Sequence, residues 1–312
     1  ITFALISLVA AWKPLDPEQT HFIVARCMEN HLPDDPTRTQ KLTSWAQGNL
    51  VPAVDSYTQC FTRCVVIKMG LYDPRSKKFN ADIIKKQWNA YNDLENEAKV
   101  NEYAEAIGKL PKTENSCRKV FDAFNSVYAK FQNTSRNIFH GNPDLYKEIY
   151  KKLGGDIRQM KQSYFEYCEN KHYPVGSSNR NQLCQIRKYA VLENDQSKKL
   201  IDCIFKGLRY ITEDNKLDNT EIKRDFKQVN KDSSKVDSVL QGCGAAPSNC
   251  LKAFHYYKCL VNSSIADIFK EAFDYRELRS QNYAYHLVAE KVYNKKEVAA
   301  QIQEIDRKQC PS

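Results

Sequence analysis

Apolar residues recur at three- and four-residue intervals along nearly the whole chain, and alternation of period two is scarce, so amphipathic helices are the expected elements. The first begins at Asp16-Pro17-Glu18, where Asp is a natural cap and Pro fits the opening turn, and it runs through Phe22, Ile23 and Arg26 to Cys27. A second, Thr43 to Leu50, carries Trp45 and stops at Val51-Pro52. In TQCFTRCVVIKMGLYD, Cys60 and Cys64 stand four apart and share a helical face, a spacing that staples one helix to two different neighbours. Ala81 to Leu94, with Ile83, Ile84, Trp88 and Tyr91, reads as helix, and so does Ser116 to Phe131, with Cys117, Val120, Phe121, Phe124 and Tyr128. Residues 132 to 145, which include NTSRNIFHGNPDL, are rich in turn formers and read as an exposed loop.

From Leu145 the helical pattern resumes and continues past Gly154-Gly155 into Ile157, Met160, Tyr164 and Tyr167. A domain boundary near Gly155 divides an N-terminal domain, 12–155, from a C-terminal one, 156–312. The second domain begins with a polar loop, Lys171 to Asn181, followed by CQIRKYAV. In SKKLIDCIFKGLRYI, residues Leu200, Ile201, Ile204, Phe205 and Leu208 make one apolar stripe. Helices are expected over Asn219–Val229 and Ser234–Gly242, with a long final one from Gln281 to Arg307 ending near Cys310.

Composition agrees with an all-α chain: Gly and Pro number only 10 and 11 among 312 residues, a length that suits two domains of about 150. Residues 1–11, ITFALISLVAA, are apolar and end in small side chains, as the remainder of a secretory leader would. A membrane anchor needs about 20 apolar residues, and no stretch approaches that, so a soluble, secreted product is expected. Eleven cysteines in such a chain imply disulfides, and the odd number leaves at least one thiol over. Sequons at Asn133-Thr134-Ser135 and Asn262-Ser263-Ser264 fit the same compartment.

The formal charge of +9 favours anionic partners in general, but the basic residues are interspersed with acidic ones and no nucleic-acid-binding signature is present. The segment EDNKLDNTEIKRDF lacks the central Gly and ligand spacing of a calcium loop and reads as a capped helix start. The six histidines have no metal spacing, and neither CxxC, a Gly-rich phosphate loop nor a nucleophile elbow occurs. No catalytic constellation, metal or cofactor is expected.

One segment concentrates chemistry. In AFHYYKCLVNSSIADIFKEAFDYREL, Ala253 to Leu278, a helix bearing Cys259 breaks at NSS and a second helix carries Asp274 and Glu277. Residues three apart share a helix face, so both acids project together beside Phe269, Phe273 and Leu278. Paired carboxylates on an apolar wall repel each other and are costly to desolvate unless a cation arrives. The cation is either a ligand or a neighbour such as Arg276 or Arg279.

Cys27, Cys60, Cys64 and Cys117 resemble the insect odorant-binding cysteine pattern with one pair missing. The second half repeats it in altered form with Cys168, Cys203, Cys243, Cys250 and Cys259. Together with WKPLDPEQ, TQCFTRC, GLYD, DCIFKG, EIKRDF and FDYRE, the chain resembles the long-form salivary proteins of blood-feeding mosquitoes, the D-seven family. That resemblance implies two tandem odorant-binding-like helical domains. It also implies the bridges Cys27–Cys64, Cys60–Cys117, Cys168–Cys203, Cys184–Cys310 and Cys243–Cys259. Lys199 stands where a further partner is expected, which leaves Cys250 as the free thiol.

The family sequesters host mediators of haemostasis and inflammation without catalysis. The resemblance therefore implies a monomer that binds small molecules. In the C-terminal domain it implies a biogenic-amine site made by Glu169, Arg187, Tyr189, Tyr257, Asp274 and Glu277. Read from the residues alone, Arg187 is the counter-ion of Glu169 or Asp274, and Tyr257 is core. In the N-terminal domain the resemblance implies a cysteinyl-leukotriene channel lined by Trp45, Tyr57, Phe61 and Val65, with Lys152 or Lys161 at its mouth. Phe61 stands where thromboxane-binding relatives carry Tyr, so leukotriene without strong thromboxane binding is expected. Two alternatives remain. One is capture of ADP between the domains by Arg136, Lys147, Lys151 and Lys152, and the other is inhibition of a coagulation protein through the basic surface.

Overall fold

The computed structural model describes residues 12–50, 55–91, 95–247, 251–283, 287 and 293–310. It divides into two compact units, Ile1–Ile157 and Arg158–Ser312. The expected leader remnant and Cys250 lie outside the described residues, as does the Val51-Pro52 stop.

In the first unit, α1 (Pro17–His31) opens with a reciprocal cap. Asp16 Oδ1 accepts from the Gln19 amide at 2.7 Å while Gln19 Oε1 accepts from the Asp16 amide at 2.7 Å. α2 (Arg38–Ala46) begins and ends four or more residues earlier than the expected Thr43 to Leu50. α3 (Ser56–Lys68) packs against α1 and, further on, against α6 (Cys117–Ile138). Cys64 bridges to Cys27 of α1 and Cys60 to Cys117 of α6, so one helix is fixed to two neighbours. Each such bridge contributes about 2–4 kcal/mol by restricting the unfolded chain.

Between them, GLYD forms a two-stranded antiparallel hairpin, β1 (Tyr72–Asp73) and β2 (Lys78–Phe79), which helical periodicity does not foreshadow. Asp73 accepts from the Arg75 amide at 2.9 Å and Lys77 takes φ 60°, so side chain and backbone together turn the chain. α4 (Asp82–Tyr91) and α5 (Glu97–Gly108) follow, and Ile83, Ile84, Tyr103 and Ile107 are buried.

The expected loop over 132–145 is a correction. α6 kinks at Phe131 and continues to Ile138, and α7 (Pro143–Leu153) starts one residue after the Asn142 cap. Thr134, Ser135 and Ile138 are buried, and the Tyr103 hydroxyl donates to Ser135 Oγ at 3.2 Å, so packing overrides the local turn preference.

A short 3-10 turn, Gly154–Asp156, ends the first unit, and the helical run expected through Tyr167 is interrupted until α8 (Tyr164–His172). α9 (Arg180–Arg187), α10 (Asp195–Gly207), α11 (Asn219–Gln228), α12 (Val236–Gly242) and α13 (Lys252–Val261) build the second unit with α14 (Ala266–Arg279) and α15 (Lys295–Gln309). α10 packs against α8, α9 and α13, and α14 against α11, α13 and α15.

Cys168–Cys203 joins α8 to α10, Cys243–Cys259 joins the end of α12 to α13, and Cys184–Cys310 joins α9 to the end of α15. The final helix is shorter than expected. Gln281–Tyr283 is a turn, and Asn294 caps α15 by accepting from the Lys296 amide at 3.0 Å. Among the described residues no helix is long and apolar enough to cross a membrane, and no group of three or more His, Cys, Asp and Glu is placed to hold a metal ion.

Candidate functional site

α14 is charged on two faces. Asp274 and Glu277 share one; Arg276 and Arg279, two residues further round, lie about 200° away at 3.6 residues per turn. The acids therefore do not pair with either arginine, as one expectation had it. Their partners come from α9 and the turn that follows it.

Arg187, the last residue of α9, is the hub. Its Nη1 donates to Glu169 Oε1 of α8, Nη2 to Glu277 at 3.0 and 3.2 Å, and Nε to Asp306 Oδ1 of α15 at 2.5 Å. Side-chain exposure is 5% at Arg187, 3% at Glu169 and 6% at Glu277, against 34% at Asp306. Tyr189 takes φ 63°, a left-handed conformation that costs a bulky residue roughly 1–2 kcal/mol and that ends α9 sharply. Its hydroxyl donates to Asp274 Oδ1 at 2.5 Å.

One guanidinium thus faces three carboxylates, with a fourth held by a neutral phenol. Burial pushes the Asp274 carboxyl up to about 6, although the Tyr189 hydrogen bond acts the other way. Burial also raises Glu277 and Glu169, against the opposing pull of Arg187. Burial opposes charge on Arg187 too, but Glu277, Glu169 and Asp306 outweigh it and hold the guanidinium charged. The carboxylates outnumber the guanidinium that bonds them, with Arg180 attracting Glu169 from further off. Glu169 Oε2 marks where they are least satisfied, being buried without a hydrogen-bond partner.

Beside the acids is a wall of rings centred on Phe273. Its centroid lies 4.8 Å from Phe165, 5.2 Å from Phe269, 6.3 Å from Tyr257 and 6.4 Å from Tyr189. Tyr257 is buried at 1% exposure. The structure therefore brings together all six residues expected of an amine site and adds Asp306. The signal for Asp306 was available in principle, because the bridge Cys184–Cys310 carries the neighbours of both cysteines into contact.

The candidates of the first unit are more scattered. Trp45 and Phe61 stack at 4.3 Å, and Trp45 Nε1 donates to Thr58 Oγ1 at 3.2 Å. Val65 is half-buried, whereas Tyr57 is exposed at 44%. The cation linked to this stack is Lys41, which pairs at 3.1 Å with Asp55, the acceptor of the Thr58 hydroxyl. Sequence reasoning missed Lys41 because it lies before the expected start of its helix. Lys152 is exposed at the end of α7. Lys161 belongs to the second unit and is exposed in a turn at φ 67°.

Of the candidate nucleotide ligands, Lys147, Lys151 and Lys152 all lie on α7 and Arg136 lies near the end of α6. Lys147 and Lys151 are exposed and pair with Asp144 and Glu148, while Arg136 Nη2 donates to the Gly141 carbonyl at 2.9 Å.

Comparison with known proteins gives this arrangement a context. The PBP/GOBP family model matches residues 10–130 and 152–263. The chain is 52% identical over 98% of its length, and 96% of the relative's, to long form salivary protein D7L1 of Aedes aegypti. It is 38% identical over 90% of its length, and 87% of the relative's, to long form salivary protein D7L2 of Anopheles gambiae. Among solved structures, an AeD7–leukotriene E4 complex superposes with a TM-score of 0.86 at 51% identity, covering 91% of this chain and 96% of that one. The Culex quinquefasciatus D7 long form 1 in complex with ADP superposes with a TM-score of 0.85 at 27% identity, covering 96% and 99%. With its two helical units, the five disulfides among its described residues and near full-length matches of this kind, the chain belongs to the long-form salivary D-seven proteins of the PBP/GOBP family.

Proposed function

We propose that this protein is a secreted salivary scavenger that binds small host mediators stoichiometrically and catalyses nothing. Its second unit takes biogenic amines such as serotonin, histamine and catecholamines. The observation that carries this reading is the excess of carboxylates around Arg187, where three buried or half-buried acids share one guanidinium and Glu169 Oε2 has no partner. A primary ammonium supplies three donors and one positive charge, the complement of that excess. The Phe273 ring wall takes the aromatic part of the guest, and a tyrosine face adds about 1–2 kcal/mol of cation-π attraction. Trapping at nanomolar mediator concentration needs about 12 kcal/mol of binding free energy, near the ceiling for so small a ligand, and hence a preformed and dry site.

Titration calorimetry of the full chain with serotonin, histamine and noradrenaline tests the reading. One-to-one heat from the wild type, lost in Asp274→Ala, is expected; no heat from the wild type with any of the three sinks it.

The first unit we assign to cysteinyl leukotrienes, with the Trp45–Phe61 stack as apolar lining. The 51%-identical relative solved with leukotriene E4 supports this. Because Phe61 has no hydroxyl, binding of thromboxane is expected to be weaker, and a competition assay favouring a thromboxane mimic would reverse the assignment. ADP is the second reading. It rests on the Culex relative solved with ADP and belongs in the same calorimetric panel, at low and moderate salt.

A further inference from the structure

The turn between α13 and α14 carries an acceptor motif that neither the core nor the proposed amine site uses. α13 ends at Val261, α14 starts at Ala266, and Asn262-Ser263-Ser264 lies between them. Asn262 and Ser264 are both exposed. Ser263 holds the turn: its hydroxyl donates to the Leu260 carbonyl at 2.9 Å and accepts from the Ile265 amide at 3.3 Å. Asn262 Nδ2 donates to the Lys258 carbonyl at 2.7 Å, which engages one of its two N–H bonds and leaves the other over.

The second motif, Asn133-Thr134-Ser135, is folded differently. It lies inside α6, where residues two apart point about 200° from each other around the axis. Asn133 is exposed, but Ser135 is 6% exposed and accepts from the buried Tyr103 hydroxyl at 3.2 Å. An enzyme that must grip the amide and the hydroxyl two residues on therefore finds both together at Asn262 before folding and after it. At Asn133 it finds them only in the unfolded chain.

We propose that Asn262 carries an N-linked oligosaccharide and that Asn133 stays bare, an inference that rests on the secreted reading because the transfer belongs to the secretory compartment. The donor is a lipid-linked pyrophosphoryl oligosaccharide. Its C1–O bond breaks, a bond forms from C1 to Asn262 Nδ2, the amide loses one proton, and the lipid pyrophosphate departs with the electron pair. The N–H that remains still donates to the Lys258 carbonyl, so the sugar is added without unmaking the end of α13.

The test is glycopeptide mass spectrometry on the full chain, expressed behind a foreign secretory leader and recovered from insect cells and their medium. That leader delivers the chain to the transferase whatever its native destination, so a bare Asn262 would sink the site and leave the secreted reading standing. We expect a glycan on Asn262 in most copies, with one glycan's mass lost from the intact protein in Ser264→Ala and kept in Asn133→Gln. Ser264→Ala retains Asn262 and its bond to Lys258; if that variant does not fold, the wild-type glycopeptide decides alone. Unmodified Asn262 in most copies, the same mass in Ser264→Ala as in the wild type, or a glycan on Asn133 in most copies would each overturn the inference.

Discussion

Around Arg187 one guanidinium serves three carboxylates; around Asp225 one carboxylate serves two guanidiniums and a phenol. The two clusters sit on opposite faces of the same helix. One is built around a cation and the other around an anion. They differ also in access. Asp306 is 34% exposed and Asp274 half-buried, so solvent reaches the acidic side, whereas Asp225, Arg276 and Arg279 are all at 4% or below. The first is the side on which the proposed ammonium guest would meet the acids, and the second is closed.

The largest effects expected from breaking this comparison are on stability. Removing the hub of either cluster leaves like charges buried together, which typically costs about 3–5 kcal/mol. Arg187→Ala and Asp225→Ala should both show it in urea unfolding at pH 7.5. They should then part company at pH 5. The acids abandoned by Arg187 can take up protons, so that cost shrinks; the arginines abandoned by Asp225 cannot lose theirs, so that cost stays. Equal behaviour at both pH values would mean that the clusters are not electrostatic inverses.

Glu277→Gln separates binding from folding. It removes one acid from a cluster that has too many, so stability should fall by less than about 1 kcal/mol. Amine affinity, by contrast, should fall by about ten- to a hundredfold, the worth of a charge-assisted hydrogen bond. Calorimetry and urea unfolding on the same sample read both. A loss of stability without a loss of affinity would make Glu277 a structural counter-ion only.

Acid should also lower amine affinity, and more gently. Asp274 has its folded-state carboxyl raised from 3.8 to about 6, so its contribution to stability is fully present below 3.8 and is lost as pH rises through about 6. Binding has the opposite sense, because the ammonium needs the ionised form and competes with the proton. Amine affinity should therefore fall between pH 6.5 and 5, by up to about tenfold per pH unit once a single proton must be displaced. Calorimetric titration in buffers of different ionisation enthalpy should show protons released on binding in that range. A flat profile would remove Asp274 from the site.

Much of this was legible in the chain. Cys60 and Cys64 at a four-residue spacing announce a helix tied to two neighbours, and FDYRE announces two acids on one face with aromatic residues beside them. What local pattern could not supply was the partner of those acids. Arg276 and Arg279 are nearest in sequence but lie on the wrong side of the helix, and the actual partner, Arg187, is 90 residues away from Glu277. The segment after Phe131 misled for a related reason: Thr134 and Ser135 are turn formers by preference and helical only because the unit buries them. Sequence periodicity records which face is apolar, and it is silent on which polar groups from distant segments that face will meet.

Asp306 gives the smallest effect and the sharpest reading of access. It touches Arg187 as closely as the other acids do, yet water already solvates part of its side chain, so its Coulomb contribution is screened as theirs is not. The contact is also kept in register without it. Arg180 Nε donates to the Gln309 carbonyl at 3.1 Å and Cys184–Cys310 closes the same seam, so the end of α15 remains docked on α9. Asp306→Asn should then lower stability by under about 1 kcal/mol and change amine affinity less than threefold, with the remaining effect disappearing in about 0.5 M salt. If instead it matched Glu277→Gln in affinity, the seam between α9 and α15 would be a wall of the binding site rather than its outer edge, and the excess of carboxylates would have to be placed there.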